Sequence, residues 1–340
     1  MPWKKTSLGG IVLAFALTGC RTSVATADNL GQAITPAAMK AEKAALLAQC
    51  PPPLQLSEAD ASKLPIHVTR WGNSGPRVLI IHGGEQTMNA LGGGPKNFAK
   101  QEVLGQQGWR LELPDRPGFG ESPSRGPDDQ LGDALWIAAM LDGGANLMGH
   151  SFGGAEALLA AARDPKAVLS LILIEPALWP LLQHDQQAYN SPVIQAERQL
   201  RDEDLMNAKT PADYASRFLS SFQPKKSGFK EFAARTVIKL IPGLSKKIGC
   251  GILNAREASS EQMREAAAVV ALAHIPVLVI TGGWSPSRDV LGNVVAKTTG
   301  GRHVIVKSPN HIIMSSNPID FNSTVTAFMH DADRAQSRAD

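Results

Sequence analysis

The chain has 340 residues, which is long enough for one large α/β domain with an insertion or for two domains of ordinary size. Hydrophobic residues make up 43% of it and charged residues 19%, a composition that is typical of a soluble globular protein and excludes a disordered or fibrous chain. The formal net charge is +3, and nothing in this balance suggests binding to nucleic acid.

The first 27 residues have the pattern of a signal peptide. Lys4 and Lys5 precede an apolar run, residues 8–17, which is too short to span a bilayer. The sequence from Leu17 to Cys20 (LTGC) resembles the lipobox of bacterial lipoproteins, in which the cysteine becomes the lipid-modified first residue. A small-residue cleavage site at residues 25–27 would instead release a soluble periplasmic or secreted product. The lipobox is preferred because Cys20 adjoins the apolar run, and it predicts an envelope protein that faces the periplasm and touches the membrane through its lipid.

Two further cysteines, Cys50 and Cys250, lie beyond the lipobox. An exported protein meets an oxidising compartment, in which these thiols could form a disulfide. The bond would be worth about 4 to 5 kcal/mol on the chain-entropy model, since it would close a long loop. Two unpaired buried thiols are the alternative that the sequence leaves open, and no metal-binding motif uses either cysteine.

Residues 28–62 are rich in Ala, Gln and Pro and predict a tether with one short helix near residues 36–49. From residue 63 onward, short apolar runs alternate with Gly-rich turns and helical patterns, which is typical of a mainly parallel sheet with crossover helices. The predicted strands are residues 66–71, 77–81, 109–113, 146–148, 169–174, 276–281 and 303–306.

The strand rhythm stops over residues 177–273. A stretch of this length is too long for a loop, and it predicts an inserted helical cap over the carboxyl edge of the sheet, where ligands bind in open α/β folds. The predicted core is therefore residues 63–176 and 274–340. The basic segment 225–247 is interpreted as a solvated helical face rather than a membrane-binding one. Four cap aromatic residues are candidates either for a pocket lining or for simple core packing: Trp179, Tyr189, Phe218 and Phe222.

A serine in a tight turn follows the fourth predicted strand. The turn runs from Gly149 to Gly154 (GHSFGG), and a strong helix former, residues 155–163, comes after it. Glycines at 149 and 153 remove side chains that would collide across so sharp a bend. The start of the helix directs its dipole and its free N–H groups toward an anion formed at Ser151. A hydrolytic serine needs this exposed and rigid position.

The turn resembles the nucleophile elbow of the α/β-hydrolase superfamily, and in particular that of its serine esterases. His82-Gly83-Gly84 resembles the oxyanion loop of the same superfamily, and residues 115–122 (DRPGFGES) resemble the turn after the next strand. The resemblance covers residues 66–330 outside the cap. It implies a mainly parallel, doubly wound α/β sheet with an inserted helical cap, and Ser151 as the nucleophile. It also implies an oxyanion hole formed by the N–H groups of Gly84 and Phe152, and no metal or cofactor.

The remaining triad residues follow from the chain order of the superfamily, which is serine, acid, histidine. His311 follows the last predicted strand and is the implied base. The acid departs from the common pattern, because Ser285 stands where most relatives carry an aspartate. Glu175 follows the strand 169–174, where some branches, haloalkane dehalogenases among them, place the acid, and it is preferred. Asp289, four residues beyond Ser285, is the alternative acid.

The resemblance implies a serine hydrolase that cleaves a carboxylic ester or a related acyl compound through an acyl-enzyme. An acyltransferase or a lactonase could use the same triad, and a non-catalytic envelope-anchored binding protein of this fold is a third possibility. Dehalogenases and epoxide hydrolases carry an aspartate as nucleophile, so Ser151 argues against both. The expected partner is a small-molecule acyl substrate, whose identity the sequence does not specify.

Overall fold

The computed structural model describes residues 34–84, 94–222 and 243–336. Cys20 and the predicted signal peptide lie outside the described residues, as does most of the basic segment 225–247. Within the described ranges, no helix combines the length and the apolar character that crossing a bilayer requires.

Within the described residues, seven strands form one sheet, and its interior parallel strands are largely buried, as expected where helices cover both faces. The strands are β1 (Val68–Trp71), β2 (Arg77–Ile81), β3 (Arg110–Pro114), β4 (Ala145–His150), β5 (Val168–Ile174), β6 (Val277–Thr281) and β7 (Arg302–Ile305). Their order is β1-β3-β2-β4-β5-β6-β7, with β1 antiparallel to β3 and every other neighbouring pair parallel. The predicted mainly parallel sheet is thus confirmed.

Alternate residues of the strands enter two separate hydrophobic clusters, because successive side chains of a strand point to opposite faces. Ile81 and Leu147 belong to one cluster, and Ile80 and Met148 belong to the other. The helices that supply the rest of both clusters and of the cap are α1 (Pro36–Leu47), α2 (Glu58–Lys63), α3 (Glu102–Gln106), α4 (Gln130–Met140), α5 (Phe152–Arg163), α6 (Gln186–Tyr189), α7 (Pro192–Met206), α8 (Pro211–Ser220), α9 (Leu244–Asn254), α10 (Ser260–Leu272), α11 (Pro286–Thr299), α12 (Ile313–Ser316) and α13 (Pro318–Gln336). Short 3₁₀ helices cover Gly94–Gln101, Pro165–Ala167 and Trp179–His184.

The position of helix α10 shows that the cap ends earlier than the predicted boundary at residue 273. Its residues Met263, Ala267 and Val270 are buried in the same cluster as Leu171 of β5. A connection between the parallel strands β5 and β6 requires a crossover helix that packs on the sheet, and α10 fulfils this role. The helix starts at a capping box formed by Ser259 and Gln262, so the cap ends before this point.

Helix α1 corrects the prediction that residues 28–62 form a tether. The helix lies where one was expected, but Leu46 is fully buried and packs with Ala208 and Leu253, so this part of the segment is docked on the cap helices. A disulfide joins Cys50 to Cys250, with their Cα atoms 5.6 Å apart. Of the two alternatives for these cysteines, the structure contains the disulfide, which joins the turn after α1 to α9.

Candidate active site

Ser151 occupies a sharp turn between β4 and α5. Its backbone has φ 55° and ψ −120°, a conformation that costs a non-glycine residue about 1–3 kcal/mol and persists only where the surroundings impose it. The surroundings are close. A Cβ on Gly149 would lie 2.4 Å from the Gly153 carbonyl oxygen, and one on Gly153 would lie 2.4 Å from the His82 carbonyl oxygen. The two glycines therefore allow the strand–turn–helix backbone to approach β2 and to hold Ser151 in its strained position.

The predicted oxyanion residues lie on two elements that meet at Ser151. Phe152 is the first residue of α5, so its N–H belongs to the positive end of the helix dipole. The backbone after β2 lies against the serine, since a Cβ on Gly83 would be 2.6 Å from the Ser151 Cβ. Gly84 follows with φ 94°. The structure thus brings Gly83, the residue directly before Gly84, and the start of α5 to the same serine.

Arg116 and His82 form hydrogen bonds with the backbone of this loop. The Arg116 backbone N–H donates to His82 Nε2 at 3.0 Å, so the proton of the ring is on Nδ1, which lies 3.0 Å from the Gly83 carbonyl oxygen. Burial, with the neighbouring Arg116 charge, lowers the pKa of His82 to about 3, which keeps the ring neutral. The Arg116 guanidinium donates to the Gly84 carbonyl oxygen at 3.0 Å, and its Cζ lies 4.8 Å from the centre of the Phe152 ring. Arg116 therefore contacts both predicted oxyanion residues.

Arg116 is fully buried and ion-paired with three carboxylates. Its Nη2 lies 3.0 Å from Asp128, 3.4 Å from Asp133 and 2.7 Å from Glu156. Burial raises the pKa of Glu156 well above its ordinary value, although the Arg116 charge opposes this rise. The guanidinium is thus the common counter-ion of a buried acidic cluster that no spacing in the sequence revealed.

We expect Arg116→Leu to lower the free energy of unfolding by about 3–5 kcal/mol, because it leaves buried carboxylates without their counter-ion. The matched control is Arg256→Leu, since Arg256 is 61% exposed and pairs with Asp129 at the surface at 3.4 Å. A surface pair of this kind is worth less than about 1 kcal/mol. Urea denaturation of the two variants measures the difference. Equal losses in the free energy of unfolding would show that the buried Arg116 cluster stabilises the fold no more than a surface ion pair.

His311 lies between β7 and α12, where the serine-acid-histidine order placed the base. Its Nδ1 is 3.0 Å from Glu175 Oε2, and its backbone carbonyl oxygen is 3.1 Å from His150 Nε2. The Phe222 ring stacks on the imidazole with centroids 4.9 Å apart. Burial and then the nearby Arg288 charge lower the pKa of His311 well below its ordinary value. The ring is therefore neutral near pH 7, as a general base must be.

The Nε2 atom of His311 is buried and has no hydrogen-bond partner among the described residues. The structure thus brings His311 to Glu175 but does not join it to Ser151 by a hydrogen bond. His150, the residue directly before Ser151, has its ring centroid 4.6 Å from that of His311. Catalytic hydrogen bonds are often long without substrate and shorten when it binds.

Glu175 follows β5 with φ 44° and is 1% exposed. Its Oε1 accepts from the Gly282 N–H at 2.8 Å and from Trp284 Nε1 at 3.1 Å. Its Oε2 faces His311 and the Arg288 Nε, which is 3.3 Å away. Burial raises the pKa of Glu175, while Arg288 and the Gly282 N–H oppose this. These four partners, from the part of the chain that the structure describes, are donors or cations, so their contacts favour the ionised form of the carboxylate.

Asp289, the alternative acid, is engaged elsewhere. Its Oδ1 accepts from the Thr281 hydroxyl at 2.5 Å, and that hydroxyl also lies 2.7 Å from His303 Nε2. Ser285 stands at the N-terminus of α11, where its hydroxyl is 3.0 Å from that of Ser287. The position at which most relatives carry the acid thus lies at the start of α11. Asp289 lies in the first turn of α11, and its carboxylate accepts a hydrogen bond from Thr281 of β6.

Two of the aromatic residues singled out in the cap contact site residues. Phe222 stacks on His311, and Trp179 lies 5.6 Å from the Arg288 guanidinium. Phe218 packs on Phe222, whereas Tyr189 packs on Arg198. Sequence reasoning missed Arg288 and Trp284, because their contacts arise from the way the loop after β6 and the first turn of α11 fold back onto β5.

Part of the sequence is similar to known hydrolases. The α/β hydrolase fold family model matches residues 76–243, which include Ser151 and Glu175. Lipase LipV of Mycobacterium tuberculosis H37Rv is 35% identical over 118 residues, which are 33% of this chain and 42% of that protein. The 2-hydroxy-6-oxo-6-phenylhexa-2,4-dienoate hydrolase of Burkholderia cepacia is 32% identical over 127 residues, 36% of this chain and 43% of that protein. The chain thus matches less than half the length of either curated relative.

The whole fold is similar to that of solved structures. The enol-lactonase from Burkholderia xenovorans LB400 superposes with a TM-score of 0.52 and 19% sequence identity, over 78% of this chain and 96% of that chain. Identity at this level shows a common fold. The roles of the cap and of the site residues therefore depend on the contacts within this chain.

Proposed function

Because the chain has the α/β-hydrolase fold, we propose that it is a serine hydrolase that cleaves a carboxylic ester. Ser151 acts as nucleophile, His311 as general base and Glu175 as the acid that orients and stabilises the imidazolium. One observation carries the proposal: the His311–Glu175 pair lies at the end of β5, next to the strained serine at the end of β4. His150 and Ile174 are register partners, so Ser151 and Glu175 leave the sheet side by side.

The reaction follows from the proton positions. With the His311 Nδ1 proton directed at Glu175, Nε2 carries the lone pair that accepts the Ser151 proton as Oγ attacks the ester carbonyl carbon. The Gly84 and Phe152 N–H groups bind the oxyanion of the tetrahedral intermediate. The intermediate collapses by breaking its bond to the alcohol oxygen, which leaves with the proton from His311. Water then attacks the acyl-enzyme in the same way, which releases the carboxylic acid and restores Ser151.

The names of the similar proteins differ in the substrate that is cleaved. LipV is named a lipase, the Burkholderia cepacia relative is named a hydrolase of a dienoate, and the structural neighbour is named an enol-lactonase. The proposed triad and the backbone amides suffice for ester cleavage. Acyl transfer to an alcohol, amine or thiol and lactone opening use the same groups.

A panel of p-nitrophenyl esters of rising acyl length, assayed beside lactones, tests the proposal. We expect release of p-nitrophenol, with Ser151 as the site of covalent labelling by a fluorophosphonate probe. Adding competing alcohols or amines and analysing the products separates hydrolysis from acyl transfer. A folded protein that neither turns over any substrate of the panel nor reacts with the probe would contradict the proposal and favour a binding protein of this fold.

The pH dependence of ester cleavage follows from the lowered pKa of His311. Protonation removes the base, so kcat/KM falls as the pH drops through the pKa of His311. Since burial and the Arg288 charge hold that pKa well below its ordinary value of 6.5, we expect the acidic limb of the profile to lie below pH 6.5. Initial rates on a neutral ester between about pH 4 and pH 9, with the protein returned to neutral pH as a check of its integrity, measure the limb. A midpoint at or above 6.5 would contradict the assignment.

We further propose that the protein is exported and anchored to the envelope through a lipid on Cys20. The proposal rests on the sequence around Cys20, and the Cys50–Cys250 disulfide supports an oxidising compartment. Mass spectrometry of the N-terminal peptide from the membrane fraction tests it. A mature chain that starts at residue 28 and remains soluble would contradict the anchor while leaving the hydrolase proposal intact.

A further inference from the structure

Arg288 is a buried cation beside the proposed triad. It lies in the first turn of α11, with 8% of its surface exposed. Its Nε is 3.3 Å from Glu175 Oε2, the same oxygen that faces His311 Nδ1 at 3.0 Å. One carboxylate oxygen therefore serves two groups, of which one is permanently charged and the other becomes charged during catalysis.

Among the described residues, three aromatic rings surround the Arg288 guanidinium. Its Cζ lies 5.4 Å from the ring centres of Phe222 and Trp284 and 5.6 Å from that of Trp179. Phe222 also stacks on His311, and Trp284 donates to Glu175. Two of these rings, Phe222 and Trp284, thus contact both Arg288 and a residue of the proposed triad, so a ligand that reaches the guanidinium also lies beside the reacting groups.

The donors of Arg288 are poorly satisfied for so buried a group. A guanidinium carries five N–H donors, yet within the described ranges none of them makes a hydrogen bond, and Glu175 is the one carboxylate within 4 Å. After Glu175, the charged groups that act most on Arg288 are Arg201 and Glu197. Arg201 is exposed, and its Cζ lies 5.0 Å from the centre of the Trp179 ring. No nitrogen of Arg288 is among the described side-chain atoms that are both fully buried and unpartnered, so its donors remain accessible. An anion that reaches them can form charge-assisted hydrogen bonds.

We propose that Arg288 binds an anionic group of the substrate, so that the protein prefers esters that carry a carboxylate. This inference rests on the proposed ester hydrolysis and names the class of its substrate. The planar guanidinium can donate two parallel hydrogen bonds to a carboxylate, and the surrounding rings exclude water that would weaken them. A neutral ester leaves these donors unpaired.

The position of Arg288 gives the anion a second effect. His311 becomes an imidazolium in the transition state. Arg288 shares the Glu175 carboxylate with His311, and its positive charge opposes the formation of this imidazolium. An anion bound to Arg288 offsets this repulsion at the moment when the proton is on His311. We therefore expect the substrate carboxylate to raise kcat as well as to lower KM.

Matched pairs of esters that differ in one charge test the inference. One pair carries the charge on the acyl side, mono-p-nitrophenyl glutarate against its methyl ester, and the other carries it on the alcohol side, 4-butyryloxybenzoate against its methyl ester. We expect at least one anionic member to exceed its neutral partner by about ten-fold or more in kcat/KM. Arg288→Gln should abolish this preference, while Arg288→Lys should keep part of it.

The control variant is Arg201→Gln, which removes a neighbouring cation and should leave the preference in place. If wild type cleaves both members of each pair equally, or if Arg288→Gln slows both members equally, the anion site is disproved while ester hydrolysis stands. If no ester is cleaved at all, the proposed function fails, and a binding measurement decides the fate of the anion site. Isothermal titration of Ser151→Ala with monomethyl glutarate should then show salt-sensitive binding that Arg288→Gln abolishes, and absence of binding would overturn the site.

Discussion

Ser151→Ala should abolish ester hydrolysis, with a loss in kcat of about 10⁴- to 10⁶-fold. The substitution removes the only atom that would form the covalent intermediate, while the oxyanion amides and the substrate contacts remain. The residual rate is then that of water attacking a bound and polarised carbonyl. Stopped or continuous assay of p-nitrophenol release measures the loss, and mass spectrometry after treatment with a fluorophosphonate shows whether the label is gone.

The matched control for this variant is Ser285→Ala. Ser285 lies near the site at the start of α11, and its hydroxyl contacts Ser287 rather than any member of the triad. We expect Ser285→Ala to keep both activity and labelling. A Ser151→Ala protein that is labelled or turns over as fast as wild type would show that another residue is the nucleophile.

Glu175→Gln should lower kcat by about 10³- to 10⁴-fold while leaving the fold intact. Glutamine has nearly the same shape as glutamate, but its neutral amide neither stabilises the imidazolium nor fixes the His311 tautomer. Its amide N–H groups would in addition face Arg288 and the other donors around this position. Steady-state kinetics on a neutral ester measure the effect, and a thermal unfolding curve checks that the variant is folded.

Asp289→Asn is the matched control, because it removes the same charge from the other candidate acid. Asp289 accepts from Thr281 and has no direct contact with His311 within the described ranges, so we expect less than about a ten-fold change in kcat. Equal mild losses in the two variants would exclude both residues as the triad acid. A large loss confined to Asp289→Asn would mean that the loop after β6 rearranges when substrate binds.

Much of the site could be predicted from the sequence because its parts are local. The bend at Ser151 requires small residues at fixed positions, so the glycines at 149 and 153 record the close approach of the backbone directly in the sequence. The strands can be predicted in the same way, since apolar β-rich runs bounded by turns define them. None of the seven predicted strands differs by more than two residues at either end from the strand in the structure. His311 could be placed by its order after the last strand.

The boundary of the cap and the docking of the N-terminal segment are harder to predict from the sequence. Amphipathic helices have the same pattern whether they pack on a sheet or on other helices, so nothing in residues 260–272 distinguished a crossover helix from a cap helix. The pairing of Cys50 with Cys250 was likewise open, because the distance between two cysteines 200 positions apart depends on the whole fold.

The sequence by itself determined the fold class, the strained turn and the candidates for each role, because each of these depends on neighbouring residues or on chain order. Only the tertiary structure decided which carboxylate faces His311. Glu175 and His311 are 136 positions apart, and they meet because β5, β6 and β7 are adjacent parallel strands whose carboxyl ends share one edge. The same edge brings Arg288 to Glu175, a contact that depends on how the loop after β6 folds back and that no local pattern encodes.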